Sequence, residues 1–311
     1  MPSKVHSYAE DSWTDDLPIC RNSGVGYSNN ITYRHTGQPA NEHAFEDEAL
    51  RIDHESGVQL YGVFDGHNGK RVAEYAAQKM AAELLFGQLE GKCTDEQVKE
   101  GMRQAFAAVE AGYFDSIGDL LANRTSLLSD IQGTSISEAS EKYPEVVKEI
   151  ESVTEKIAAG AGGVIALIKE GKLFVGSVGA CRALLCKTGP SGELRVVSLT
   201  VPHDICNEDE VLRLTHLGLS QDSIRLFHHP TRCIGDFPRK GGYKDFDVLS
   251  AAKAEPVSAE PELSGGIPLW GPAASGTAQF LMLMSSGVYA ALEESTGYKR
   301  RGCTMIILLH F

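Results

Sequence analysis

The stretch Leu60-Tyr61-Gly62-Val63-Phe64-Asp65-Gly66-His67-Asn68-Gly69-Lys70 decides how this chain is read. Alternation predicts a strand over Val58 to Asp65, with Val58, Leu60, Gly62 and Phe64 on one face and Gln59, Tyr61, Val63 and Asp65 on the other. Gly66 and Gly69 permit a sharp turn, and from Val72 apolar residues recur through Ala76, Met80 and Leu84 as on a helix with one buried face. The Asp65 carboxylate is therefore expected where a sheet ends, a place suited to a metal. A single carboxylate does not make a catalytic metal centre, because a divalent cation exchanges its water only for several oxygen ligands. The other ligands must come from elsewhere in the chain.

Composition narrows the function classes. The 311 residues are 42% hydrophobic, enough for a globular core, and the net charge of −13 disfavours nucleic acid and anionic lipid as partners. The N-terminus lacks a signal-peptide h-region, and no apolar run reaches the roughly 20 residues of a membrane span, so a cytoplasmic protein is expected. Seven scattered cysteines without a Cys-x-x-Cys pair fit reduced thiols, with Cys181, Cys186 and Cys233 as small core residues.

Outward from the central stretch, residues 1–22 read as a polar arm, Val25 to Tyr33 as a short strand, and His35 to Asp47 as a solvated loop. A second helix runs from Thr94 with Met102, Phe106, Val109, Tyr113 and Leu120 on one side, and Asn123 to Ser140 reads as an exposed connection. Pro144 opens a third helix carrying Val146, Ile150, Val153 and Ile157. Gly163 to Ile168, Leu173 to Val178, Cys181 to Lys187 and Leu194 to Leu199 have the spacing of an antiparallel meander. Asn207 caps a short helix over Glu208 to Leu217, Ser220 to Leu269 reads as loop-rich, and Phe280 to Ser285 and Thr304 to Leu309 are the last strand candidates.

Taken in order, Val63 to Gly69, Gly162-Gly163-Val164, Val178 to Leu185, His203, Arg232 to Asp236 and Ser258 to Leu263 resemble the motifs of the metal-dependent type 2C Ser/Thr protein phosphatases. The resemblance implies an α+β fold, a four-layer α-β-β-α sandwich of two antiparallel sheets flanked by helix pairs, over residues 23–311 after the arm at 1–22. It also implies a shortened C-terminal part, since only Val288 to Arg301 separates the last two strands. An isoform, a natural divergence and a wrong splice join all stay open as its origin.

In active members, by the same resemblance, paired Mg²⁺ or Mn²⁺ ions activate a water that attacks phosphorus while an Arg grips the phosphate. An ungapped count from Gly26 puts that Arg on Ser28 and the following Glu-Asp ligand pair on Thr32 and Tyr33. Asp65 and the Gly66 carbonyl match the retained metal position. Ser286 stands where the family has its Ser-Asp-Gly aspartate, Gly302-Cys303 where it has Asp-Asn, Ala180 at the accessory aspartate, and Pro202 before His203. Glu46 and Asp47 restore an acidic pair only if their loop folds back. The expected site is therefore a vestigial, weak metal position at Asp65 and Gly66, with no catalytic residues and no cofactor. A purely structural reading makes Asp65 the cap of the helix after Asn68, leaves His67 outside any Ser-His-Asp or Cys-His relay, and assigns Arg182 and Arg232 to carbonyls and carboxylates at strand ends.

Ser12 to Pro18, Ala82 to Leu89, Asn207 to Glu210 and Asp247 to Lys253 resemble, more narrowly, a catalytically inactive branch of the family. That resemblance implies an adaptor that binds and regulates a MAP kinase kinase kinase in stress and inflammatory signalling. The implied partners are a protein kinase of the TGF-beta-activated type and an inhibitor-of-apoptosis protein. The alternative is an active phosphatase using Mg²⁺ or Mn²⁺ on phosphoserine and phosphothreonine.

Overall fold

A computed structural model describes residues 23–24, 30–33, 39–43, 45–189, 191–270 and 276–289. The arm at 1–22 and the strand expected over Thr304 to Leu309 lie outside them, as does everything after Tyr289.

The central strand is β4 (Gln59–His67), flanked in a sheet ordered β10-β6-β5-β4-β3 by β3 (Glu48–Asp53), β5 (Gly160–Lys169), β6 (Lys172–Val178) and β10 (Glu262–Pro268), with β9 (Ile234–Gly235) pairing β5. All these pairings are antiparallel. Alternation along β4 does what its pattern predicts. Leu60 and Phe64 enter a core shared with α1 (Arg71–Glu83) and α2 (Asp95–Ser116), while Tyr61 and Val63 face a second core between the sheets. Strand β5 is buried on both faces, which accounts for its unbroken small and apolar run Gly-Ala-Gly-Gly-Val-Ile-Ala-Leu-Ile.

Thr94 caps α2 in a capping box with Gln97, and Met102, Phe106, Val109 and Tyr113 are buried as their spacing predicts. Met102, Phe106 and Val109 each contribute about 1.5–3 kcal/mol through burial.

A smaller sheet ordered β11-β7-β8 is built from β7 (Arg182–Thr188), β8 (Leu194–Ser198) and β11 (Thr277–Met284) and packs its Ala183 and Leu185 against Val164, Ala166 and Val175. The expected four-strand meander is thus corrected. β5 pairs β6 and β7 pairs β8, but the chain crosses between sheets over 179–181, so β6 and β7 stack face to face instead of pairing. Alternation alone does not distinguish a hairpin from a sheet crossing, because both need a tight Gly-containing turn.

Asn123 to Ser140 is also corrected, being mostly helical in α3 (Gly118–Asp130) and α4 (Ile136–Lys142). Ser135 and Glu138 form a capping box there, and Leu127 and Ala139 are buried. Its few apolar residues suffice because α3 packs mainly on α5 (Pro144–Ile157), with Leu120 and Leu121 reaching the main core.

The expected loop at His35 to Asp47 contains β2 (Pro39–His43), antiparallel to β1 (Asn30–Tyr33) in a separate ladder. After α6 (Glu208–His216), the region expected to be loop-rich holds α7 (Gln221–Leu226), two short 3₁₀ turns, β9 and β10. Its own core is built on Leu214, Ile224, Phe227, Leu249 and Val257.

Candidate functional site

The hairpin register builds the first cluster. Glu48 pairs with Phe64, so one further step sets Asp47 opposite Asp65 and Glu46 opposite Gly66. A Cβ on Gly66 would strike the Glu46 carbonyl oxygen, and the Glu46 carboxylate accepts the Gly69 N–H at 2.7 Å. The loop does fold back, and the acidic pair beside Asp65 is Glu46-Asp47. The count that put this pair on Thr32 and Tyr33 is corrected, because those residues belong to the β1–β2 ladder. Residues 53–59 form the turn of the β3–β4 hairpin, and counting back across it from Asp65 is the signal that finds Asp47.

Asp65 does not cap the helix. Lys70 occupies the N-cap of α1 without a side-chain cap, and Asp65 Oδ2 instead accepts the Ser286 N–H at 2.7 Å. Asp47 lies against Asp65, and its carboxyl is pushed up by burial and by the charges of Asp65 and Glu46, against the opposing hydrogen bond with Ser285. The fully buried Cys181 thiol is pushed well up, first by burial and then by Asp65 and Asp47. The corner therefore sets two acidic side chains against each other, and a backbone amide serves one of them.

Linkage gives Asp47 a definite sign. Its folded pKa is raised above 3.8, so its contribution to stability is complete below 3.8 and is lost as pH rises through the folded value. Asp47→Asn, which keeps the hydrogen bonds and removes the charge, is expected to raise Tm near neutral pH and leave it unchanged in acid. A lower Tm for the variant at neutral pH in calorimetric scans would contradict this.

The second cluster centres on Glu210 at the start of α6, which is 1% exposed. Arg213 Nη2 donates to it at 2.8 Å, Arg232 Nη2 at 2.6 Å and Thr231 Oγ1 at 2.6 Å. Arg232 therefore serves a carboxylate, as expected; Arg182 instead stacks on the Tyr289 ring with its guanidinium carbon 3.7 Å from the centroid.

A third cluster was not legible in the sequence. Gly160 sits opposite His67 across β4 and β5, and a Cβ there would lie 2.5 Å from His67 Nε2, so only glycine lets the imidazole cross β5 toward β9. It reaches Asp236, 3.8 Å away, and ligand atoms of His67, Cys233 and Asp236 all lie within 4.8 Å of one another. His67 thus does have a thiol and a carboxylate beside it, contrary to expectation. Their chemistry is already occupied: Arg239 Nη1 donates to both Asp236 oxygens at 3.0 and 2.8 Å, and burial pushes the Cys233 thiol to about 12, out of nucleophile range. Lys240, itself 1% exposed, pairs with Glu110 next to this cluster.

With this geometry in hand, the comparisons decide the family. The sequence profile for "Protein phosphatase 2C" matches residues 24–299. The chain belongs to the protein phosphatase 2C family. Among curated relatives, a Caenorhabditis elegans protein named TGF-beta-activated kinase 1 and MAP3K7-binding protein 1 is 26% identical over 92% of this chain and 68% of its own length. An Arabidopsis thaliana protein kinase and PP2C-like domain-containing protein is 28% identical over 81% of this chain and 31% of its own. A rice probable protein phosphatase 2C is 23% identical over 79% of this chain, which spans 54% of it. A solved structure of a C. elegans sex-determining protein superposes with a TM-score of 0.51 at 16% identity, covering 86% of this chain and 53% of that one, and so supports the fold alone. The 2C fold supplies the two antiparallel sheets; strand β4 carries Asp65 of the first cluster and His67 of the third, while the second is built on α6 and the chain before β9.

Proposed function

We propose that this 2C-family domain, spanning residues 23–311 after an arm at 1–22, is a catalytically inactive adaptor. In this reading it binds and regulates a protein kinase of the TGF-beta-activated type in stress and inflammatory signalling. One observation carries the inactive part: the Ser286 N–H donates to Asp65 Oδ2 at 2.7 Å, where a metal-dependent phosphatase needs the carboxylate turned to a cation. The donor set does not fit two divalent ions. Burial and neighbouring charge push Asp47 toward its neutral form, Glu46 is engaged by Gly69, and residue 286 offers no carboxylate. Asp65 and Gly66 form a weak, vestigial metal position.

The kinase-binding part is supported by the nematode relative, whose name describes a kinase-binding protein. Contacts with an inhibitor-of-apoptosis protein and a cytoplasmic location belong to the same proposal. Among the described residues no helix is long and apolar enough to cross a membrane.

A second reading, an active Mg²⁺- or Mn²⁺-dependent phosphatase, draws on the return of Glu46-Asp47 to Asp65 and on the rice relative's name. Two assays separate them. Purified protein with Mn²⁺ is expected to release no phosphate from an aryl phosphate or a phosphothreonine peptide, and to retain the recombinant kinase on an affinity column. Mn²⁺-dependent turnover abolished by Asp65→Asn would establish the second reading.

A further inference from the structure

The contacts of the last described segment reach across both sheets. The Ser285 side chain hydrogen-bonds Asp47 just ahead of β3, and the Ser286 N–H donates to Asp65 Oδ2 at 2.7 Å on β4. One turn on, Tyr289 Oη donates to the Ala180 carbonyl at 2.7 Å in the crossing between sheets, and the Arg182 guanidinium at the start of β7 covers its ring at 3.7 Å. Ser285 is 6% exposed, whereas Val288 between the anchored residues is 46% exposed. The segment is held at its two ends by polar and cation–π contacts, not by apolar burial along its length. Two anchors come from the six-stranded sheet, two from the crossing and the smaller sheet.

We propose that the acid pair Asp47–Asp65 works as a clasp that docks Ser285–Tyr289 across the two sheets, so that the reversible event at this corner is undocking of the segment. The inference rests on reading the pair as lacking its metals, and it assigns the carboxylates a present task. A charge-assisted hydrogen bond between an amide and a partly buried carboxylate, backed by a stacked tyrosine, closes such a segment strongly enough to be observed yet leaves it able to open without unfolding either core.

Hydrogen exchange read by mass spectrometry on the full chain tests the clasp. Asp65→Ala is expected to speed exchange in the peptide covering Ser285 to Tyr289 by about tenfold or more, the factor that matches loss of one hydrogen bond to a charged group. Asp65→Asn, whose amide oxygen still accepts from Ser286 but without charge assistance, is expected to fall between the wild type and Asp65→Ala. Tyr289→Phe, which keeps the ring on Arg182 and loses the Ala180 bond, is expected to raise exchange at 287–289. Unchanged exchange in Asp65→Ala, with the protection pattern elsewhere intact, would overturn the clasp. Should that variant not fold, unchanged exchange in Tyr289→Phe would overturn it. Mn²⁺-dependent turnover by the wild type would defeat the adaptor reading while leaving the exchange result to decide the clasp.

Discussion

Glu210→Ala is expected to cost about 3–5 kcal/mol of unfolding free energy, the cost of leaving buried partners of an ion pair uncompensated. Glu210 is 1% exposed and binds two guanidinium groups that have other duties. Arg213 Nη2 also donates to the Thr231 and Pro256 carbonyls at 3.2 and 2.9 Å, and Arg232 Nη1 to the Glu260 carbonyl at 2.9 Å. Neither can swing to solvent without abandoning the backbone that joins α6 to the loop before β10. Burial pushes the Glu210 carboxyl up, but hydrogen bonds from Arg213, Arg232 and Thr231 outweigh it and hold the group at about 2. A depressed acid stabilises above its unfolded value of 4.5 and loses that contribution as pH falls through the folded value of about 2. Urea titrations should therefore show the wild type weakening between these limits and Glu210→Gln, already weaker, changing less. An alanine variant within about 1 kcal/mol of wild type at neutral pH would show that the network contributes little net stability.

Ser286→Asp should convert the clasped corner into a cation-dependent one. The Ser286 amide already lies 2.7 Å from Asp65 Oδ2, so a carboxylate on that residue adds a third acid beside Asp47 and Asp65. With chelator present, mutual repulsion is expected to lower stability by on the order of 2 kcal/mol. Mn²⁺ at a hundredfold excess over its dissociation constant should return about 2.7 kcal/mol, visible as a metal-dependent rise in Tm. The wild type, which carries a hydroxyl at residue 286 where the variant carries a carboxylate, should shift little under the same conditions. Equal Mn²⁺ shifts in both proteins would mean that Asp47 and Asp65 hold a cation unaided.

Much of this molecule was legible one element at a time. The strand at β4, the helices α1, α2 and α5 and the cap at Asn207 follow from periods, caps and breakers that act over a few residues. The first cluster was half legible: Asp65 stood out by its motif, while Glu46-Asp47 stood in a loop whose return depends on the β3–β4 register. The cluster at His67, Cys233 and Asp236 was not legible, because β9 inserts beside β5 from more than 70 residues away and only the pairing of Gly160 with Gly235 brings them together. The helices over 118–142 are not legible because α4 relies on its capping box and α3 on packing against α5, not on a strong apolar stripe.

By itself, the sequence determined the family motifs, the local elements and the identity of residue 286 as a serine. These are properties of short segments or of single side chains. Tertiary structure alone decided that Asp47 stands beside Asp65, that the Ser286 amide donates to the Asp65 carboxylate, and that Arg239 pairs with Asp236. Whether a carboxylate meets a cation, a proton or an amide depends on which distant backbone the packed sheets bring within about 3 Å of it, and local sequence preferences do not encode that distance.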